Sequence, residues 1–442
     1  MQKERLIRLG RESLAIGAGI ALGAIGGMVG VRLMTEALTP ADYGILALAM
    51  TGTTLMQRVV FAGPVSAIVR FFSQSIEQND YISFSSAVKK DFIQRVGYSL
   101  LILLVVIAIL WGTGQREWIL LAILSLLFAD SQTANALVNG IQNAARQRIV
   151  VAFHKAIASW LRFFIAIALI RSLGLPTSTV AMNGYLIAGL LVIGSQSLFY
   201  RYRFRTFIDR SDPLSTDSKR DWFSKIRTFS YPFTLWGIPL WLQVASSRWF
   251  LQFFSGSAEI GYFSALYQLG NYPIMLFVTA MMEFIRPIVF AKVGSSTNVD
   301  RIKRVHKVMV WLVAGYIGFV LVAVGFGYMF HRSIFNLLVA EQYQHVSYLL
   351  CWMVLGAGFE NGTQIVSMFL MNRERVNKLM PPRLLSAGMG VIANAVGAYY
   401  FGLTGIVAAS VFYGIVSMIL IVIATIREEK RIEIQWNKDH HA

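Results

Sequence analysis

The sequence predicts an all-α, polytopic membrane protein with twelve transmembrane helices, arranged as two pseudo-symmetric six-helix bundles around a central cavity. Hydrophobic residues make up 56% of the 442-residue chain and charged residues only 14%, compared with about 25% charged residues in soluble domains. Twelve apolar runs each approach the roughly 20 residues that a helix needs to cross a bilayer. A basic segment, residues 201–227, separates the first six runs from the last six, and we call it the central basic segment.

The predicted spans are 13–35, 43–70, 92–112, 117–141, 149–171 and 178–200, followed by 228–252, 258–290, 308–330, 343–371, 381–400 and 403–426. They divide the chain into an N-terminal lobe (1–200), the central basic segment as a cytoplasmic linker, and a C-terminal lobe (228–442) with a short cytoplasmic tail. The basic N-terminus resembles a signal peptide, but its apolar run continues to about Met34. Because a cleaved signal has a shorter apolar region, this run is predicted to be a retained first span.

Lysine and arginine are concentrated on one side of this predicted topology. If the N-terminus is inside, 31 of the 40 basic residues lie in inside segments and five lie outside. Because cytoplasmic loops are enriched in Lys and Arg, both termini are predicted to be cytoplasmic, in a bacterial inner membrane. The formal net charge of +17 then reflects topology, and no nucleic-acid partner is expected. The single cysteine, Cys351, excludes an intramolecular disulfide and disfavours a thiolate metal site.

The two halves repeat three short patterns in the same order, which is typical of transporters built from internal repeats. Because each half has an even number of spans, the repeat is predicted to be parallel, with its axis along the membrane normal. The matching pairs are 42–44 with 259–261, 146–148 with 373–375, and 173–175 with 401–403.

The turn 38–44 (LTPADYG), its counterpart 259–265 (EIGYFSA) and the segment 401–409 (FGLTGIVAA) resemble the polysaccharide transporter, or Wzx-type flippase, branch of the multidrug/oligosaccharidyl-lipid/polysaccharide (MOP) superfamily. The resemblance extends over nearly the whole chain. It implies a transporter that flips an undecaprenyl-pyrophosphate-linked oligosaccharide from the cytoplasmic to the outer leaflet by alternating access. It also implies membrane lipids and the polysaccharide polymerase machinery as partners. Glu36 and Ser247 depart from the family pattern, in which arginine and aspartate are common there.

Four ionisable residues are predicted near the bilayer midplane: Arg58, Asp130, Arg162 and Glu360. Each costs about 2.5 to 3.5 kcal/mol at a helix centre unless it is paired or solvated, so we expect them to face a water-filled cavity. Asp130 alone cannot neutralise both arginines. Arg58 and Arg162 are therefore predicted to bind the substrate pyrophosphate through bidentate guanidinium contacts. The alternative is a buried ion-pair network among Arg58, Asp130 and Arg162.

Asp130 and Glu360 are predicted to couple transport to H⁺ or Na⁺, because burial favours the neutral form of a carboxylate and lets it change charge near neutral pH. For Glu360, a hydrogen bond to a neighbouring helix is the alternative. No cofactor, metal site or catalytic residue is expected besides the coupling ion.

Three further basic residues are predicted to contact the substrate. Lys155 is assigned to a cytoplasmic basic mouth that captures the anion, with anchoring at the membrane surface as the alternative. Arg32 and Arg248 lie near the outer ends of their spans and are assigned to an outer gate. For these two residues, snorkelling of the side chain to the head groups is the alternative.

Glycine and proline predict the mechanics of the helices. Five glycines between residues 19 and 30 create small-xxx-small spacings that allow close helix packing in the first span. Prolines 64, 232, 239 and 273 each remove a helical hydrogen bond and permit a kink.

Two other functions remain open. A cation-drug antiporter of the same superfamily would use Asp130 and Glu360 as working residues. A polyprenyl-dependent membrane glycosyltransferase is disfavoured, because the external loops are short and no GxxxxGK[ST], HExxH, CxxC or GxSxG motif is present. The chain is therefore predicted not to be an enzyme.

Overall fold

The computed structural model describes residues 2–209, 216–293, 299–372 and 376–441. The α-helices within these ranges are α1 (Gln2–Ala37), α2 (Pro40–Leu55), α3 (Ala62–Glu77), α4 (Tyr81–Gly112), α5 (Trp118–Ala144), α6 (Arg148–Leu173), α7 (Ser178–Asp209), α8 (Thr216–Phe254), α9 (Ser257–Val293), α10 (Val299–Leu338), α11 (Leu350–Asn372) and α12 (Met380–His441). A π-helical turn (Met56–Phe61) joins α2 to α3, and short 3₁₀ helices (Glu341–Leu349 and Val376–Leu379) precede α11 and α12.

Eight helical segments in the described part of the chain are long and apolar enough to cross a membrane. This confirms the prediction of an all-α, polytopic membrane protein. The last of these segments, Met380–Glu428, contains both predicted spans 381–400 and 403–426. At Gly402 between them the backbone leaves the helical region, with φ 55° and ψ −130°, a conformation that glycine adopts readily. The eight segments are Ile16–Ala37, Pro40–Glu77, Tyr81–Gly112, Trp118–Ala144, Arg148–Leu173, Ser178–Tyr202, Val310–Leu338 and Met380–Glu428.

The chain forms two compact units, unit 1 (Met1–Trp241) and unit 2 (Leu242–Ala442), and their boundary lies inside α8. The C-terminal part of the central basic segment, residues 216–227, is packed helix at the start of α8. Trp222 and Ile226 are almost completely buried in unit 1, in a cluster with aromatic residues of α3 and α4. The Trp222 indole N–H also donates to the Asp80 carboxylate at 2.7 Å.

In unit 1, the glycines of the first span allow α1 to pack closely on α6. A Cβ atom at Gly26 would lie 2.7 Å from the Trp160 indole nitrogen, and one at Gly30 would overlap the Phe163 ring. Because the two helices lie close together, two side chains of α6 donate hydrogen bonds to the backbone of α1. The Trp160 indole donates to the Leu22 carbonyl at 2.9 Å, and the Ser159 hydroxyl donates to the Gly23 carbonyl at 2.7 Å. The small-residue spacing therefore predicted the packing correctly.

In unit 2, α11 packs against α9, α10 and α12. The Tyr316 hydroxyl of α10 donates to the Gly358 carbonyl at 2.7 Å, and the Asn361 amide donates to the Asn271 side chain of α9 at 3.1 Å. Gly414 of α12 lies against the backbone of α11 near Glu360, where a Cβ atom would lie 3.3 Å from the Glu360 nitrogen. These polar contacts fix the neighbours of α11 within a largely apolar unit.

Candidate functional site

Arg58 lies on the π-helical turn that joins α2 to α3, and its side chain is exposed. It forms no hydrogen bond or ion pair with any residue that the structure describes. Its backbone is held by α8, because a Cβ atom at Gly237 would overlap the Arg58 carbonyl oxygen. π-Helical turns are rare and often occur at functional sites. Arg58 is therefore an unneutralised guanidinium group on a π-helical turn, a rare type of backbone segment.

A side chain of α4 contacts the backbone of the π-helical turn. Pro64 has no N–H and cannot donate to the Val60 carbonyl four residues earlier. Arg95 of α4 supplies the missing donor, with its Nη1 atom 2.5 Å from the Val60 oxygen. Its Nε atom donates to Asp91 at 2.7 Å, and the two side chains are only 12% and 5% exposed. This buried pair thus holds the turn that carries Arg58.

Arg162 of α6 is half-buried among aromatic rings. Its guanidinium carbon lies 4.5 Å from the centre of the Phe163 ring and 5.9 Å from that of Tyr185. Its Nε atom is buried and has no hydrogen-bond partner within the described residues. A buried donor without an acceptor is costly, so this site favours an anion.

Asp130 does not neutralise either arginine. The Ser99 hydroxyl of α4 lies 3.2 Å from both of its carboxylate oxygens. No ion pair joins Arg58, Asp130 and Arg162 to one another in the described structure, so the alternative of a buried ion-pair network among them is not observed. The three residues belong to the same unit but have different surroundings.

Glu360 lies in unit 2 at the packed face of α11. Its carboxylate interacts electrostatically with Tyr413 of α12, and its carbonyl accepts a hydrogen bond from the Thr363 hydroxyl at 2.6 Å. The neighbouring Asn361 links α11 to α9. Glu360 therefore has partners on its own and on a neighbouring helix, and the structure does not bring it together with Asp130 in one unit.

The remaining predicted residues are Lys155, Arg32 and Arg248. Lys155 is exposed and follows the buried His154, whose Nδ1 lies 2.9 Å from the Val150 carbonyl. Arg32 forms an ion pair with Glu36 on the same helix at 2.6 Å. Glu36 is thus a partner for Arg32 within α1.

Arg248 has a different type of partner. Its Nε atom donates to the Ser264 hydroxyl at 3.3 Å, and its guanidinium group lies over the rings of Phe263 and Tyr267 at 5.3 and 5.1 Å. These contacts hold the Arg248 side chain within unit 2.

Two polar groups of unit 1 were missed by the sequence analysis. One is the Asp91–Arg95 pair, which a spacing of four residues at the start of an apolar run could have revealed. The other is a buried amide cluster. The Gln196 amide of α7 donates to Asn139 at 2.6 Å and to Gln142 at 2.7 Å on α5. Amides spaced three or four residues apart in a predicted span were the available signal.

A family model described as "Polysaccharide biosynthesis protein" matches residues 9–292, which is more than half of the chain. No curated protein sequence matches this chain.

Three solved structures illustrate the fold. A structure of the lipid II flippase MurJ in an inward closed conformation is 13% identical, with 96% of this chain and 90% of that chain covered and a TM-score of 0.64. The Vibrio cholerae MATE transporter VcmN is 14% identical, with 96% and 98% covered and a TM-score of 0.63. A MOP superfamily transporter from Pyrococcus furiosus is 18% identical, with 96% and 95% covered and a TM-score of 0.60. The likeness shows that the chain has the fold of these transporters.

Proposed function

Because the chain belongs to the polysaccharide biosynthesis protein family, we propose that it flips an undecaprenyl-pyrophosphate-linked oligosaccharide from the cytoplasmic to the outer leaflet of the bacterial inner membrane. The family match and the transporter fold support a membrane carrier. The observation that supports a lipid-linked substrate is that Arg58 and Arg162 in unit 1 are not neutralised. Neither guanidinium group has an acidic partner among the described residues, although an unpaired cation within a membrane is expensive.

A pyrophosphate would supply the negative charge and the acceptor oxygens that these arginines lack. Guanidinium groups bind phosphate oxygens through paired N–H donors, and these charge-assisted hydrogen bonds are about twice as strong as neutral ones. Arg58 and the buried Nε of Arg162 would hold the head of the substrate on unit 1. The polyprenyl tail would remain in the lipid, so only the polar part of the substrate needs shelter during alternating access.

The other basic residues take supporting roles in this proposal. Lys155 is exposed and attracts the incoming anion at the cytoplasmic mouth. Arg32 and Arg248 contact the polar part of the substrate near the outer side. Asp130 and Glu360 couple the cycle to H⁺ or Na⁺, and both termini lie in the cytoplasm. The protein acts as a carrier and not as an enzyme, and it delivers its product to the polysaccharide polymerase machinery.

The test is deletion of the gene followed by analysis of lipid-linked glycans in the cytoplasmic leaflet. We expect one undecaprenyl-linked repeat unit to accumulate and surface polysaccharide to be lost. The wild-type chain should restore transport, whereas Arg58→Ala and Arg162→Ala should lower it by about ten- to a hundredfold each, since each removes charge-assisted hydrogen bonds.

Arg116→Ala is the matched control, because Arg116 is exposed and its guanidinium group lies over the Trp111 ring, 4.0 Å from its centre. It should transport like the wild type. Full activity of both Arg58→Ala and Arg162→Ala would contradict the assignment of the head-group site. Normal surface polysaccharide combined with new sensitivity to cationic dyes would instead identify a cation antiporter.

A further inference from the structure

Unit 1 contains a cavity of about 220 Å³ that involves none of the residues assigned to transport above. It lies between the π-helical turn, α4 and α8, and polar groups from two of these helices line it. They are Asp91, Arg95 and Tyr98 of α4 and Arg227, Tyr231 and Thr234 of α8.

The charge of the lining favours an anion. The single carboxylate, Asp91, is already paired with Arg95, whose guanidinium group also binds the Val60 carbonyl. Arg227 is exposed and has no hydrogen-bond or ion-pair partner in the part of the chain that the structure describes. The two arginines and one aspartate have a net charge of +1. This positive charge is on Arg227, which is accessible.

The cavity also offers hydroxyl donors. The Tyr98 oxygen accepts a hydrogen bond from the Gln94 amide at 2.6 Å, which leaves the Tyr98 proton free to donate. Tyr231 is 65% exposed and, like Thr234, forms no side-chain hydrogen bond within the described ranges. A ligand with several acceptor oxygens would satisfy these donors together with Arg227.

The position along α4 and α8 places the Arg227 side of the cavity toward the head groups of the membrane, while Val59 and Val60, which follow Arg58 on the π-helical turn, line its other side. On α4, the exposed Lys89 and Lys90 precede the cavity and a lipid-facing apolar stretch follows it, with Leu101 and Leu104 60% and 62% exposed. On α8, Leu235 is likewise 52% exposed after Arg227. Basic residues followed by exposed apolar surface mark the boundary between head groups and acyl chains.

We propose that this cavity binds the phosphate group of a membrane lipid, with Arg227 as the charged donor and Tyr98, Tyr231 and Thr234 as hydroxyl donors. A volume of 220 Å³ is below the roughly 300 to 1,000 Å³ of sites for drug-sized ligands, so it suits a phosphate head group rather than an oligosaccharide. The acyl chains would lie along the exposed apolar face of α4. Arg58 and Arg162 do not line the cavity, although the lining residue Val59 directly follows Arg58, and the proposal does not depend on the proposed transport function.

The experiment is native mass spectrometry of the full-length protein in detergent, titrated in separate arms with phosphatidylglycerol and with undecaprenyl diphosphate. Arg227→Gln and the double variant Tyr231→Phe with Thr234→Val are compared with wild type. These side chains form no hydrogen bond or ion pair with the residues that the structure describes, so the variants should fold, and gel filtration checks this. Lys89→Gln is the matched control, because it removes one exposed positive charge of the same region outside the cavity.

We expect Arg227→Gln to weaken phosphatidylglycerol binding about tenfold, the loss typical of a hydrogen bond to a charged group, and the double variant to weaken it by a smaller factor. Lys89→Gln should bind like wild type. If the same pattern appears with undecaprenyl diphosphate alone, the phosphate site is supported and its ligand is the polyprenyl lipid. Equal effects of Arg227→Gln and Lys89→Gln on both lipids would overturn the proposal, since general charge attraction would then explain the binding.

Discussion

The second apolar segment of each predicted repeat differs between unit 1 and unit 2. The offset of 217 residues that relates Asp42 to Glu259 also relates Arg58 to Met275. In unit 1 this segment is interrupted by the π-helical turn that carries Arg58, whereas in unit 2 α9 runs without interruption from Ser257 to Val293. Where unit 1 has the cation Arg58, the same offset therefore places the apolar Met275 in unit 2.

The largest effect on this difference should come from the pair that holds the π-helical turn. Arg95→Met leaves the Asp91 carboxylate buried without its cation and the Val60 carbonyl without this donor. We expect a loss of about 3 to 5 kcal/mol in unfolding free energy, as for a broken buried pair. Thermal unfolding in detergent measures it.

The double variant Asp91→Asn with Arg95→Met serves as the control, because it removes the unpaired charge. It should recover part of the lost stability. If Arg95→Met alone unfolds at the wild-type temperature, the pair does not hold the turn.

A smaller effect is expected at the contact between α8 and the turn. A Cβ atom at Gly237 would meet the Arg58 carbonyl and lie 3.2 Å from the Val59 Cα atom. Gly237→Ala should therefore cost about 1 to 3 kcal/mol, as overpacking does, and should reduce transport by displacing Arg58. Gly97→Ala is the control, because nothing lies within 4 Å of its Cβ position. Equal melting temperatures for the two variants would argue against a tight contact.

The buried amides allow a comparison of the interiors of the two units. Gln196→Leu in unit 1 removes two hydrogen bonds to α5, whereas Asn361→Leu in unit 2 removes one interhelical bond to Asn271. Since interhelical hydrogen bonds in membranes contribute about 0.6 kcal/mol on average and up to about 1.7, Gln196→Leu should be the more destabilising. Chemical denaturation of both variants in the same detergent tests the order, and a larger loss for Asn361→Leu would reverse the comparison.

The smallest effects are expected at the matching helix ends. Arg32 pairs with a partly exposed Glu36, so Arg32→Gln should change the unfolding free energy by less than about 0.5 kcal/mol. Arg248 lies over two rings, and Arg248→Gln should cost about 1 kcal/mol. Adding 0.5 M salt should weaken only the Arg32 contribution, because salt screens exposed ion pairs. Identical salt responses would show that the two arginines have the same environment.

The sequence predicted the helical fold well because its signals are local. Long apolar runs and the glycines of the first span led to the membrane helices and to the close contact of α1 with α6, both of which the structure confirms. The π-helical turn was not predicted. Pro64 indicated a kink. However, the donor that replaces its missing hydrogen bond is Arg95, which lies about 30 residues away in the chain.

The amino-acid sequence by itself determined that this chain crosses the membrane as helices, because hydropathy and backbone hydrogen bonding within a helix depend only on neighbouring residues. Only the tertiary structure decided which charges are neutralised. Asp91 is paired with Arg95 and Asp130 is bonded to Ser99, so Arg58 and the Arg162 Nε remain without acidic partners in the described structure. The physical reason is range: a partner must lie within a few ångströms, and helices distant in sequence supply it.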